Sequence, residues 1–252
     1  MSYRSTLFCV LAAFAFITAL SSARAQSAGS IYVRADLAVA GAIGADIHDA
    51  NQPVVNLPND IAGINGSVGD LGVAWLAGIG AGLYILPNVR ADVVFAYRDG
   101  FKLDDADEGF PTNRFRADLA AHSVMATAYW DFPFVRESTG FVGLGFGWAN
   151  VSMSNLSSDS WAAVAAAQGA TGDPVAPGAR SDNFAWQITT GMAFAITSRM
   201  QLEIFYRYLD AGRVHTPAGN VTANGTVIGV YGGPEGGLQS HELGVSLRVP
   251  LT

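Results

Sequence analysis

His122 stands beside Ser123, and Ser240 beside His241. A serine next to a histidine could supply a nucleophile and its base. The spacing argues against that use. Adjacent side chains on a strand leave opposite faces, so neither pair forms a dyad if it lies on one. The four histidines, His48, His122, His215 and His241, show no tight ligand spacing, so no metal site is expected. "GIGAG", Gly78 to Gly82, resembles part of a dinucleotide loop but lacks the full spacing and the helix that should follow. Small residues that let strands curve or pack closely explain it better. "DDADEG", Asp104 to Gly109, misplaces the glycine and terminal glutamate of a calcium loop; it reads as a solvated tip. No catalytic residue and no cofactor are expected.

The charges placed within apolar segments are more informative. Arg34, Asp36, Arg90, Asp92, Arg98, Arg116, Asp118, Glu203, Arg207, Glu242 and Arg248 share one parity within each segment, and the opposite row is apolar. "FAWQITTGMAFAITSRMQLEIFYRYLDAG", Phe184 to Gly212, shows the pattern: Leu202, Ile204, Tyr206 and Tyr208 against Gln201, Glu203, Phe205 and Arg207. Strict alternation is the mark of a strand with unlike faces. A charge facing lipid near the midplane costs ~2–4 kcal/mol for Arg or Lys. In a membrane, the charged row must therefore face a lumen, where mixed signs permit pairing. Glu203 and Arg207 are four apart on one strand, too far for simple direct contact, so each is expected to pair across strands. The same parity puts His122 in the lumen, with Glu203 or Glu242 to satisfy it, and turns Ser123 to lipid.

Eight such segments position these residues, near 31–43, 73–86, 89–98, 115–130, 140–153, 184–196, 200–209 and 241–251. Short connections (87–88, 131–139, 197–199) alternate with long ones (44–72, 99–114, 154–183, 210–240). That is the connectivity of an eight-stranded antiparallel up-and-down transmembrane β-barrel with short periplasmic turns and long external loops. A soluble barrel or sandwich would bury the apolar row instead. Strand length, loop asymmetry and aromatics near strand ends (Tyr84, Tyr97, Trp130, Trp148, Trp186 and Tyr208), suited to interfacial girdles, favour the membrane. "SDSWAAVAAAQGA" reads either as a short helix capped by Ser160, running to Gln168 and stopped by Gly169, or as an Ala-rich loop.

Residues 1–25 read as a secretory signal peptide: Arg4, the apolar run Leu7 to Leu20, then "ARA". The apolar run is too short for a membrane-spanning helix. Cys9, the one cysteine, lies inside this run, so the barrel domain, 26–252, is held without disulfides. The long loops hold fourteen acids against Lys102, Arg114, Arg180 and Arg213, which disfavours nucleic acid.

"NFAWQITTGMAFAITSRMQLEIFYRYLDAG", with "HSVMATAYWDFP" and "GFVGLGFGWANV", resembles the opacity-protein-like, porin-family small outer-membrane surface antigens of Gram-negative bacteria, of the alphaproteobacterial type. The likeness covers nearly all of 26–252. It implies an integral outer-membrane barrel, not an enzyme, delivered by the barrel assembly machinery. Its surroundings would be outer-membrane lipids and lipopolysaccharide, with host or envelope proteins reached through its loops. The chain departs from this family in ending "RVPLT" rather than on an aromatic residue. A structural or surface-antigen role is expected; a narrow porin for small solutes, and after it a haem-binding protein of the kind the resemblance includes or a lipid-modifying envelope enzyme, are the alternatives.

Overall fold

A computed structural model describes residues 28–43, 47–49, 71–106, 112–135, 138–197 and 199–251. The leader and the cleavage pattern lie outside these residues. The elements are Ile31–Ala42 (β1), His48–Asp49 (β2), Val73–Leu86 (β3), Val89–Ala106 (β4), Arg114–Pro133 (β5), Thr139–Ser158 (β6), the helix Asp159–Ala167 (α1), Pro174–Val175 (β7), Ala179–Thr197 (β8), Met200–His215 (β9), Gly219–Ala223 (β10), Thr226–Tyr231 (β11) and Pro234–Pro250 (β12). The eight long strands, β1, β3, β4, β5, β6, β8, β9 and β12, pair antiparallel in chain order, and β1 pairs with β12 to close the ring. Closure removes the open edges that lipid could not satisfy. Among the described residues no helix is long and apolar enough to span a membrane.

The alternation turns large apolar residues outward: Leu37, Val39, Ile79, Leu83, Val93, Phe95, Leu144, Phe146, Ile188, Leu243 and Val245 are all exposed. Such a belt around a closed barrel is a lipid-facing surface. Its inner rim carries an aromatic run, Trp130–Phe132–Phe134. Toward the outer rim Trp75, Tyr97, His122 and Trp148 meet in a row across four strands, edge to face, stacked and tilted in turn.

Several strands run further on the long-loop side than alternation suggests. β4 continues from Arg98 to Ala106, β6 from Met153 to Ser158 and β9 from Leu209 to His215. A left-handed residue interrupts each one: Gly100 (φ 103), Asn155 (φ 56) and Gly212 (φ 80). The pairing of β4 with β5 shifts between Asp99 and Phe101, and the buried row of β4 passes from Arg98 to Phe101. An extra residue reverses the face of everything beyond it, so the alternating pattern ends there while the strand does not.

A closed barrel of this kind should migrate differently on a denaturing gel before and after boiling. Identical mobility, together with extraction from membranes by carbonate alone, would contradict the fold.

Candidate functional site

The barrel interior is layered. Toward the short turns it is ionic. Ten charged side chains are buried there, five arginines (Arg34, Arg90, Arg98, Arg207, Arg248) and five acids (Asp36, Asp92, Asp131, Glu203, Glu242). They form one connected network. Arg98 pairs with Glu242 at 2.6 Å, Glu242 with Arg207 at 3.2 Å, and Arg207 with Asp36 at 3.1 Å. Asp36 then meets Arg34 at 2.9 Å, and Arg34 meets Asp92 at 2.8 Å. Glu203 is the hub, 3.2 Å from Arg90 and from Arg248 and 3.5 Å from Arg34. These three contacts lack hydrogen-bond alignment, so the pairing at Glu203 is by charge rather than by directed bonds. Arg34 and Arg248 lie directly opposite each other on β1 and β12. Like charges so placed repel, and the Glu203 carboxylate answers both.

Aromatic rings and small residues fit around the ions. The Arg90 guanidinium lies 4.0 Å from the Tyr129 ring centroid and 5.0 Å from that of Phe141. A side chain at Gly143 would collide with Tyr129, and one at Gly82 with Tyr32. Glycine on one strand thus makes room for a ring on its neighbour, which is how a narrow taper is filled.

Toward the long loops the interior turns apolar. Phe101, Leu103, Phe115, Leu119, Met153, Leu156, Val214 and Leu238 form a buried cluster with residues of the loops themselves, Ile47, Leu71, Trp161, Val221, Ile228 and Tyr231. A lid covers this end. It consists of α1 and a small sheet ordered β11-β10-β7. The helix starts at Ser158, whose Oγ accepts from the Ser160 amide, and Gly169 (φ 70) follows it. The cap is thus Ser158 rather than Ser160. Trp161 is buried under the lid, edge-on to Phe115 at 6.0 Å and to Tyr231 at 5.6 Å. Outside the belt, Arg116 donates to Asp159 at 2.7 Å and holds that carboxyl below the usual range.

Nine of the eleven charges expected in the lumen are there: Arg34, Asp36, Arg90, Asp92, Arg98, Glu203, Arg207, Glu242 and Arg248. Arg116 and Asp118 are not. They stand on the outer face of β5, where Arg116 meets Asp159 and Asp104, and Asp118 accepts from Asn155 at 2.8 Å. This part of β5 projects beyond the apolar belt, so its outer face can carry charge and its inner face, Phe115, Ala117 and Leu119, is the apolar one. The same parity corrects two neighbours. His122 points outward against Trp148, and Ser123 is luminal, accepting from Arg98 at 2.9 Å. Tyr84, expected in a girdle, lies inside, its hydroxyl 3.4 Å from Asp131. Asp131 itself was expected in a turn; its parity with Thr127 and Tyr129 is the signal that places it in the lumen, 3.1 Å from Arg90. Gln187, which donates to Thr127 at 2.8 Å, is another luminal residue that charge counting passes over.

No protein-family model matches the chain, and no curated protein matches it significantly. Solved structures do. The outer membrane protein OprG from Pseudomonas aeruginosa superposes with a TM-score of 0.53 at 10% identity, over 88% of this chain and 97% of that one. Neisserial surface protein A is 18% identical with a TM-score of 0.48, over 87% and 96%. The outer membrane protein AlkL is 13% identical with a TM-score of 0.46, over 93% and 96%. At these identities the likeness is one of fold, that of small outer-membrane β-barrels. Together with the apolar belt, that fold locates this chain in the outer membrane.

Proposed function

We propose that this outer-membrane barrel is a non-catalytic surface protein of the opacity-protein-like kind, whose wall stabilises the envelope and whose outer end is presented to lipopolysaccharide and to host or envelope proteins. The observation that carries the reading is the filled interior. Ten paired charges occupy the inner part, an apolar cluster the outer part, and α1 with its sheet lies over the mouth. An eight-stranded barrel is just wide enough for side chains to fill. A filled barrel transmits little and has most to offer at its exposed rim. Residues 1–25 would direct export and be removed, and the barrel assembly machinery would insert the rest.

The test is planar-bilayer recording with the purified protein. Stable unitary conductance is not expected. Conductance steps that disappear when the protein is unfolded would support the narrow-porin reading instead. Lipid A mass spectra that change on deletion of the gene would support an enzyme.

A further inference from the structure

Above the apolar belt β8 and β9 separate. Their ladder ends at the pair Trp186–Asp210, although β8 begins further out, at Ala179, and β9 runs on to His215. Each strand stays paired on its other side, β8 with β6 as far as Ala179 and β9 with β12 as far as His215. Further out the same two connections meet again, where Pro174 and Val175 of β7 pair with Ala223 and Thr222 of β10. The wall therefore has a gap with backbone pairing both below it and above it.

Two side chains span this gap. Asn183 of β8 accepts from the Arg213 amide through Oδ1 at 3.2 Å and donates through Nδ2 to the Arg213 carbonyl at 2.8 Å. Ser181 Oγ accepts from the His215 amide at 2.9 Å and donates to the His215 carbonyl at 3.5 Å. Each side chain does here what a facing backbone does in a ladder. Gly212 makes room for Asn183: its backbone is left-handed (φ 80), and a Cβ there would fall 2.5 Å from that of Asn183. The bonds to Arg213 and His215 are exposed, and bonds that water can replace are the first to open. Behind the gap lie Ala185, Ala211 and Val214, buried in the apolar cluster at the outer end of the lumen.

We propose that this gap is a side window in the barrel wall, latched by Asn183 and Ser181. Their release opens the apolar end of the lumen to the outside while the barrel ladder and the lid stay paired. The filled interior thus has one place where a small uncharged molecule reaches it without lifting the lid.

The experiment uses the full chain carrying Cys9→Ser, refolded in detergent, so that an introduced cysteine is the only one. Ala211→Cys lies behind the gap. Ala121→Cys lies in the same apolar cluster, on a strand paired on both sides. Each is labelled with N-ethylmaleimide. Adding Asn183→Ala should speed labelling at position 211 by roughly tenfold or more and leave labelling at position 121 unchanged. Ser181→Ala should act in the same direction, and Ser181→Thr, which keeps the hydroxyl, should not. Unboiled gel mobility checks that each variant is folded. In the parent, the amides of Arg213 and His215 should exchange hydrogen faster than those of Leu119 and Ala120, which sit between two ladders. The proposal is overturned if Asn183→Ala leaves labelling behind the gap unchanged, if both positions gain equally, or if the Arg213 and His215 amides are as protected as those of β5. None of these outcomes depends on whether the barrel conducts.

Discussion

Glu203→Ala is expected to lower the urea midpoint of the refolded barrel more than any other single carboxylate removal. The glutamate is fully buried and faces three guanidiniums, those of Arg34, Arg90 and Arg248. A buried pair adds little net stability over a well-packed apolar substitute, but deleting one partner strands the other, at a cost of ~3–5 kcal/mol. Here Arg34 keeps Asp36 and Asp92 and Arg90 keeps Asp131, but Arg248 loses the carboxylate it meets while still facing Arg34 across β1 and β12. Asp173→Ala, in an exposed loop, is the control and should leave the midpoint nearly unchanged. Equal midpoints for the two variants would mean that the charged row is in water, and the inside-out arrangement would fall.

The second large effect is expected at the lid. Trp161→Ala removes the buried ring that joins α1 to Phe115 of β5 and Tyr231 of β11. Truncating a buried tryptophan costs ~3–5 kcal/mol. Most of this loss should fall on the lid, because backbone pairing around the ring does not pass through Trp161. The variant should keep its unboiled gel mobility while elastase cuts the alanine-rich α1 faster, by roughly a hundredfold or more if local opening limits cleavage. Unchanged resistance would show that something other than this ring holds the lid.

How far the sequence could be read depended on depth in the membrane. Inside the apolar belt one face must be greasy, so the parity of Arg34 with Asp36, or of Glu203 with Arg207, was enough to assign the lumen. Beyond the belt both faces can be polar, and the rule loses its force. Alternation alone puts Arg116 and Asp118 on the wrong face for that reason, and His122 and Ser123 with them. The bulges at Gly100, Asn155 and Gly212 hid the outer strand extensions, because each reverses the pattern without ending the strand. The contacts of His48 and His215 with Glu235 at the outer rim are hidden for a different reason. His48, His215 and Glu235 are far apart in sequence, and only the closing of β12 onto β2 and β9 puts them side by side.

That closing strand also sets an order in time. Arg98 sits on the third barrel strand, and its carboxylate partner, Glu242, lies 144 residues further along, on the last. Arg34 and Asp36, on the first strand, reach Glu203 and Arg207 on the seventh. Without the closing strand Arg98 lacks its carboxylate partner, and a guanidinium left unpaired is costly to desolvate. Contacts this distant in sequence form late. The ionic lumen is therefore complete only when the ring is closed, because the carboxylate that meets both Arg98 and Arg207, Glu242, stands on the closing strand.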